Sequence, residues 1–404
     1  MSKKQTESRR AGPWTRPRHR VVWAILRPFF RLYGRLKYGV RAERFRGTGP
    51  HLILFNHQTP FDQFFVTMSF PGAVYYLATE DIFSIGWPAK VMAWGVAPIP
   101  IRKQSTDTRA IRTMIQVARE GGAVALAPEG NRTYSGKTEY MRPAVASLAK
   151  KLGLPIALYR IEGGYGVEPR WSDRTRRGSM RAGVARVIPP EEYQAMSNEA
   201  LYEEIRQGLY VNEAVADAEF RSNRRAEYLE RAVYVCPFCG LTVFHSEGNE
   251  LECERCHRWV HYRPDKRLEG VRYDFPFEFV NDWYEYQKDY VNHLDLTQHT
   301  AEPMFRDRAA VSRVIPCERK VPLRKEAALA LYGDRVTVDE DWTLPFAEIT
   351  AAAVLGRNKL NLYHGGEIYQ FKGDKRFNAL KYVNLIHRYK NMAQGDEHGE
   401  FLGL

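Results

Sequence analysis

Between His51 and Lys151, short apolar runs alternate with helical patterns, and this alternation restricts the segment to an α/β architecture. His51 to Phe55, Ala123 to Ala127 and Leu154 to Tyr159 read as buried strands. Thr108 to Arg119 reads as a helix between them, with Ile111, Ile115 and Ala118 on one face. In folds of this kind the functional loops lie at strand ends. Two polar segments occupy such ends: Asn56-His57-Gln58-Thr59-Pro60-Phe61-Asp62 after the first strand, and Pro128-Glu129-Gly130-Asn131-Arg132-Thr133 after the second.

Beyond this region the pattern changes. Residues 166–190, rich in Arg, Gly and Pro, read as loop. Asn198 to Tyr210 reads as a helix with Leu201, Ile205 and Leu209 on one face, and Arg224 to Arg231 as a charged helical connector. The stretch 265–320 has aromatic runs but no clear period. From Glu326 strands dominate: Ala327–Tyr332, Arg335–Val338, Ala351–Leu355, Leu360–Tyr363 and Ile368–Phe371, the last two joined by a turn at His364-Gly365-Gly366-Glu367. A helix over Arg376–Tyr389 closes the pattern, with Leu380, Val383, Ile386 and Tyr389 inward. These shifts divide the chain into a basic amphipathic segment (1–47), an α/β domain (48–232), a cysteine module (233–264), a connector (265–320) and a β-rich unit with a C-terminal helix (321–404).

Charge is concentrated at one end. Residues 1–46 hold fourteen Lys or Arg and two acids, which equals the whole net charge of +12. A local basic segment fits an anionic surface, either lipid or nucleic acid. The first 18 residues read as a disordered basic tail. Over residues 20–37 a helical projection puts Arg20, Arg27, Arg31 and Arg35 on one side. Val22, Ile25, Leu26, Phe29, Leu32, Tyr33 and Leu36 fall opposite, with Pro28 as a candidate kink. Such a helix suits a lipid interface or packing on the domain core, and the two are compatible. No stretch approaches the roughly 20 apolar residues of a bilayer span, and Val21–Phe30 lacks the form of a signal peptide. The expectation is a cytoplasmic protein, peripheral on the cytosolic face of the membrane.

The first polar segment has two readings. A histidine held by Asp62 has its tautomer fixed and its conjugate acid stabilised, so it can deprotonate an alcohol. Alternatively, Thr59-x-x-Asp62 is a helix capping box, with Thr59 as N-cap, Pro60 in the first helical position and Asp62 at N3. Further segments bear on the choice. Gly95 to Arg102 brings an arginine to the end of an apolar run, and Leu154-Pro155-Ile156 opens another strand.

These four blocks, in this order, resemble the glycerolipid acyltransferase family, specifically the 1-acyl-glycerol-3-phosphate acyltransferases. That family carries an Asn-His-x4-Asp block, a Gly-to-Arg block, a Pro-Glu-Gly-x-Arg block and a Val-Pro-Ile block. The likeness covers about residues 48–165 and departs from the family at Ala127 and Asn131, neither expected to do chemistry. It implies that His57 is the general base and Asp62 orients it. It further implies that Arg132 binds the acceptor phosphate on a loop shaped by Glu129 and Gly130, with Arg102 assisting. The activated hydroxyl would attack a thioester of acyl carrier protein or coenzyme A directly, with no catalytic cofactor and no acyl-enzyme.

Cys236-Pro237-Phe238-Cys239 and Cys253-Glu254-Arg255-Cys256, thirteen residues apart, offer four thiolates for one structural zinc and look like a zinc ribbon. His245 and His257 are substitute ligands that the set does not need, and Cys317 reads as a free thiol. From Cys236 to Arg263 four glutamates face three arginines, the wrong sign for nucleic acid. The C-terminal strands followed by one helix resemble pleckstrin-homology-like domains, with Lys359, Lys372, Lys375 and Arg376 near their loops.

The sequence therefore predicts an α/β glycerolipid acyltransferase fold with a small zinc ribbon and a β-rich C-terminal domain. Its partners would be an acyl thioester, a lysophospholipid and an anionic membrane surface, with phosphatidic acid as product. Acylation of another lysolipid or polyol, and a catalytically silent membrane adaptor, are the competing readings.

Overall fold

A computed structural model describes residues 13–83, 86–101, 107–315 and 320–395. The basic tail before residue 13, Arg102 and Cys317 lie outside them. Seven strands form the first sheet: β1 (Val40–Ala42), β2 (Leu52–Phe55), β3 (Val74–Thr79), β4 (Ile99–Ile101), β5 (Ala123–Leu126), β6 (Ile156–Glu162) and β7 (Met180–Ile188). Their order is β1-β7-β6-β2-β5-β3-β4, and all pairings are parallel except β6 with β7. β7 falls within the segment expected to be loop. It follows the Arg- and Gly-rich run Arg174–Gly178, and Arg181, Gly183 and Arg186 interrupt its own apolar residues, which masks the strand in the sequence.

β2 lies at the centre and is buried on both faces, which is why it reads as an unbroken apolar run. Leu52 and Leu54 pack on one side with Met114, Val117, Ala146, Leu201 and Ile205 from three helices, Thr108–Arg119, Ala144–Leu152 and Asn198–Leu209. Ile53 and Phe55 pack on the other side with Tyr38, Phe65 and Val66 from helices α1 (Pro17–Tyr38) and α2 (Asp62–Ser69). The result is a three-layer sandwich with β2 ending between β5 and β6. Leu54 is level with Leu126 on one side and Leu158 on the other. The loops leaving these three strands therefore start side by side.

α1 runs through Pro28 and stops at Gly39, which adopts φ 61°. A side chain there would put Cβ 2.3 Å from the Gly178 carbonyl oxygen, so both conformation and space require glycine. The arginine face of α1 does not point outward as a stripe. Arg27 donates to the Thr67 and Gly72 carbonyls at 3.0 and 2.7 Å, and Arg31 to the Met68 carbonyl at 2.6 Å. These are unpaired carbonyls at and beyond the C-terminus of α2, where a cation is favoured. Val21, Ile25, Phe29, Leu32 and Leu36 are left exposed, Leu36 at 77%. The helix Trp87–Val96 contacts α1 and exposes Trp87, Val91 and Trp94. Among the described residues no helix is long and apolar enough to cross a membrane.

After Leu209 the chain is irregular as far as the short turn Leu229–Arg231, where a helical connector was expected. Its charged residues are tied instead by tertiary bonds, such as Arg225 Nε to the Tyr262 carbonyl at 2.9 Å. The cysteine module has a small hairpin, β8 (Val235–Cys236) with β9 (Gly240–Leu241). Beside it lies an antiparallel sheet of β10 (Phe244–Glu247), β11 (Glu250–Cys253), β12 (Trp259–Tyr262) and β13 (Leu268–Gly270). The expected connector contains a helix, Val280–Asn292, and then β14 (Phe305–Val314).

β14 is the middle strand of a second seven-stranded antiparallel sheet. It also contains β15 (Val321–Leu331), β16 (Arg335–Val338), β17 (Trp342–Pro345), β18 (Ile349–Leu355), β19 (Lys359–His364) and β20 (Glu367–Gly373). The order is β17-β16-β15-β14-β20-β19-β18, a curled half-barrel around the helix Leu380–Ala393. One continuous core joins the cysteine module, the Val280–Asn292 helix and the half-barrel, and it takes in Tyr134 and Trp171 from the first unit. Trp283 is fully buried there and donates to the Val235 carbonyl at 2.7 Å.

Candidate active site

The central strand β2 ends at Asn56, whose side chain replaces a ladder pair. Its Nδ2 donates to the Ile161 carbonyl at 2.8 Å and its Oδ1 accepts from the Ile161 N–H at 2.7 Å. The chain turns through His57 to Phe61 before α2 begins. Asp62 is the first residue of that helix and Phe61 its N-cap, so the expected cap at Thr59 is not formed. Asp62 folds back over the loop instead. Its fully buried carboxylate accepts from the N–H groups of Gln58 at 2.7 Å and Thr59 at 3.0 Å, and from the Thr59 hydroxyl at 2.6 Å. His57 Nδ1 lies 2.8 Å from Asp62 Oδ2. This contact assigns the Nδ1 proton to the carboxylate side and leaves Nε2 as the basic nitrogen. The His57 side chain remains 24% exposed.

The loop after β5 clasps the same residue. Glu129 Oε1 accepts from the His57 N–H at 2.7 Å, and its Oε2 from the Glu139 N–H at 2.8 Å. The Thr133 N–H donates to the His57 carbonyl at 3.1 Å. Both backbone groups of His57 are thus held by the second loop. Gly130 makes the turn at φ 69°. Burial pushes the Glu129 carboxyl well above its ordinary range, against the two N–H groups that favour its charge.

Arg132 leaves this loop with Nη1 buried and without a partner among the described residues. Its pKa falls to about 10, first through burial and then through the charges of Arg170 and Arg357. The His57 imidazole is held below its ordinary value. Burial is the largest cause, pairing with Asp62 opposes it, and Arg132 and Arg170 add to it.

The structure therefore brings together His57, Asp62, Glu129, Gly130 and Arg132. β4, which leads towards Arg102, is an edge strand separated from β5 by β3. Several neighbours carry no sequence signal. Gln58 Oε1 accepts from the Gly164 N–H at 2.8 Å, fixing the loop to the end of β6. Glu213 accepts from Gly163 and from Gln58, and Lys266, just beyond the cysteine module, lies 3.7 Å from it. Glu168 and Arg170 sit in the stretch that reads as loop, where nothing distinguishes them from a solvated surface.

The four thiols also converge. Their sulfurs all lie within 4.8 Å of one another, with Cys236 to Cys256 at 3.8 Å and Cys239 to Cys253 at 3.6 Å. The edges of a tetrahedral zinc–thiolate site measure about 3.8 Å, given Zn–S bonds of about 2.3 Å. The cluster could therefore hold a metal ion. His257 bonds Glu252 at 2.9 Å and is not part of it.

Residues 38–160 match the protein family described as Acyltransferase, and this segment carries His57, Asp62 and Arg132. The chain is 23% identical over 160 residues to the chloroplastic 1-acyl-sn-glycerol-3-phosphate acyltransferase BAT2 of Brassica napus. That alignment spans 39% of this chain and 44% of the relative, less than half of the relative's length. The 1-acyl-sn-glycerophosphate (LPA) acyltransferase PlsC of Thermotoga maritima superposes with a TM-score of 0.40 at 19% identity, over 47% of this chain and 78% of its own.

The electrostatics give a signed expectation. A depressed His57 pKa keeps the base neutral to lower pH, so its NMR titration midpoint should lie below the ordinary 6.5. Arg132→Gln removes a cation that disfavours imidazolium and should raise that midpoint. Asp62→Asn removes the charge that favours imidazolium and should lower it. Shifts of the opposite sign would show that these groups do not face the imidazole.

Proposed function

We propose that this protein is a membrane-surface O-acyltransferase that moves an acyl group from a thioester of acyl carrier protein or coenzyme A to the free hydroxyl of 1-acyl-glycerol-3-phosphate. The product is phosphatidic acid. The observation that carries the reading is the juxtaposition of a carboxylate-oriented imidazole with a buried guanidinium nitrogen on the adjoining loop that has no partner among the described residues. His57 Nε2 takes the hydroxyl proton as the oxygen attacks the thioester carbonyl, and Asp62 stabilises the imidazolium that forms. The imidazolium then supplies the proton to the departing thiolate. Arg132 binds the acceptor phosphate, where its N–H groups meet charged oxygens. The acyltransferase-family match and the name of the Brassica napus relative support the same substrate class.

His57→Ala should lower acyl transfer by about 10²- to 10⁴-fold without unfolding the protein. Asp62→Asn should also cut turnover strongly. Arg132→Ala should raise KM for a phosphorylated acceptor more than for a neutral one. Mass spectrometry of products from a lysolipid panel with both donors checks all three, and full activity in His57→Ala would remove the enzyme assignment.

The exposed apolar residues of α1, with Trp87, Val91 and Trp94, form the proposed membrane-binding face. They lie beside the His57 loop: Phe30 packs on Phe64 with tilted rings whose centres are 4.4 Å apart, and Phe64 on Phe61 at the same distance. Since Arg27 and Arg31 are spent on α2, the contact is more apolar than an arginine stripe implies. Arg20, Arg35 and Lys37 remain to favour anionic lipid. Liposome sedimentation should therefore persist in part at high salt, and Ile25→Asp with Trp87→Asp should abolish it. Complete release of the native protein by salt alone would contradict an inserted apolar face.

We also propose that Cys236, Cys239, Cys253 and Cys256 hold one structural zinc, making the module a zinc ribbon, and that the half-barrel with its closing helix is pleckstrin-homology-like. The metal would brace the hairpins that carry the thiolates and leave no open coordination position. Elemental analysis should find one zinc per chain, and Cys236→Ser should lose it together with stability. A fully folded, metal-free module would rule this out.

A further inference from the structure

Arg170 and Arg357 gather at Arg132 and are not used by the acyl-transfer chemistry above. Arg170 is 4% exposed. Its Nη1 donates to the Arg132 carbonyl at 2.8 Å, and its Nη2 reaches the Val354 carbonyl at 3.2 Å and Asn131 Oδ1 at 3.5 Å. Its guanidinium lies 4.2 Å from the Tyr134 ring centre. Val354 belongs to the half-barrel, near the end of β18. Three residues further on, in the β18–β19 turn, Arg357 pairs with the buried Glu168 and lies 3.5 Å from Asp173. A turn of the C-terminal unit is thus wedged against the loop that carries Arg132.

The charge balance there is incomplete. Arg132, Arg170, Arg357 and Arg231 face three carboxylates, Glu168, Asp173 and Asp62; Asp173 is already bonded to Arg231 at 2.7 Å, and Asp62 to the His57 loop. Arg132 Nη1, Arg170 Nε and Arg357 Nε are each buried without a partner among the described residues, three donors against one such acceptor here, Glu168 Oε2. Gathering like charges and unpaired N–H groups away from water is costly. An anion with several oxygens relieves both costs, and guanidinium forks fit a phosphate in particular. The Arg132 pKa is depressed first by burial, and the charges of Arg170 and Arg357 add to that against Glu168 and Asp62.

We propose that the half-barrel contributes directly to the substrate site: Arg357 binds a phosphomonoester together with Arg132, while Arg170 positions the loop that carries Arg132. Glu168 holds Arg357 in place before the ligand arrives. The inference rests on the acyl-transfer reading for its ligand class. Two sources carry that group, the glycerol phosphate of the acceptor and the ribose phosphate of coenzyme A. Arg132 shares its loop with the clasp on His57, where the acceptor hydroxyl must come, so the acceptor is the source chosen.

Binding of sn-glycerol 3-phosphate and of coenzyme A to the full chain, followed by calorimetry, separates the two. Acyl transfer to 1-acyl-glycerol-3-phosphate and to monoacylglycerol supplies a second readout. Arg357→Gln should weaken glycerol 3-phosphate binding roughly 10- to 100-fold, the range for a lost hydrogen bond to a charged group. KM for the phosphorylated acceptor should rise by a similar factor, at least tenfold more than for monoacylglycerol, and Arg357→Lys should recover part of both. An equal loss on both acceptors, or unchanged glycerol 3-phosphate affinity with a lower Tm, would make Arg357 a structural tie and overturn the proposal. Loss confined to coenzyme A would overturn the choice of acceptor. Failure of the unaltered protein to bind glycerol 3-phosphate or acylate a phosphorylated acceptor would remove the underlying reading, which the Arg357 variants alone cannot do.

Discussion

The buried carboxylate of Asp62 sets the geometry of everything around the candidate site. An ionised carboxylate away from water costs several kcal/mol unless its oxygens are satisfied. Here the satisfying donors are local: two N–H groups, one hydroxyl and the His57 ring, all from the five residues before it. The charge therefore dictates the loop. Gln58 and Thr59 must present their N–H groups inward, and His57 can then approach Asp62 only through Nδ1. The Thr59 N–H bond is the half of a capping box that Asp62 supplies, but the Thr59 hydroxyl donates to that carboxylate and accepts from the Phe61 N–H, so no reciprocal cap forms. The loop shape, the tautomer and the position of the free Nε2 thus follow from one desolvated group.

That loop would have little rigidity alone, because it connects a strand to a short helix. Its anchors come from the strands on either side of β2. Glu129 and Thr133 hold the His57 backbone from the end of β5, and Gln58 and Asn56 reach the end of β6. The parallel sheet makes this possible, since neighbouring parallel strands deliver their loops to the same edge. The order of the sequence blocks has the same physical origin. A His-x4-Asp segment and a Pro-Glu-Gly-x-Arg segment some seventy residues apart in sequence meet because two parallel strands in register lead into them.

This explains which parts were legible in the sequence. β2, β5 and the Thr108–Arg119 helix follow from apolar period and burial, and the polar segments after the two strands were readable as the candidate site. β7 and β14 were not, because arginines interrupt the apolar residues of each and both acquire their identity from long-range pairing. The arginine face of α1 was visible, but its direction was not. Periodicity tells that two faces differ and leaves open which one a neighbour covers. Here the carbonyls at and beyond the end of α2 attract Arg27 and Arg31, so the apolar side is the one left outside.

Arg170 and Arg357 show the same limit at the site itself. Each is an ordinary arginine in a loop or turn, and surface arginines are abundant in this chain. Their meaning arises from convergence: Arg170 bridges the carbonyls of Arg132 and Val354, and Arg357 reaches across to Glu168. The core formed by the cysteine module and half-barrel also encloses Tyr134 and Trp171 of the first unit. Arg170 packs over Tyr134, and Trp171 follows it directly. The C-terminal unit cannot shift without moving the residues beside Arg132. A unit packed in this way is mechanically part of the support of the loop that carries Arg132.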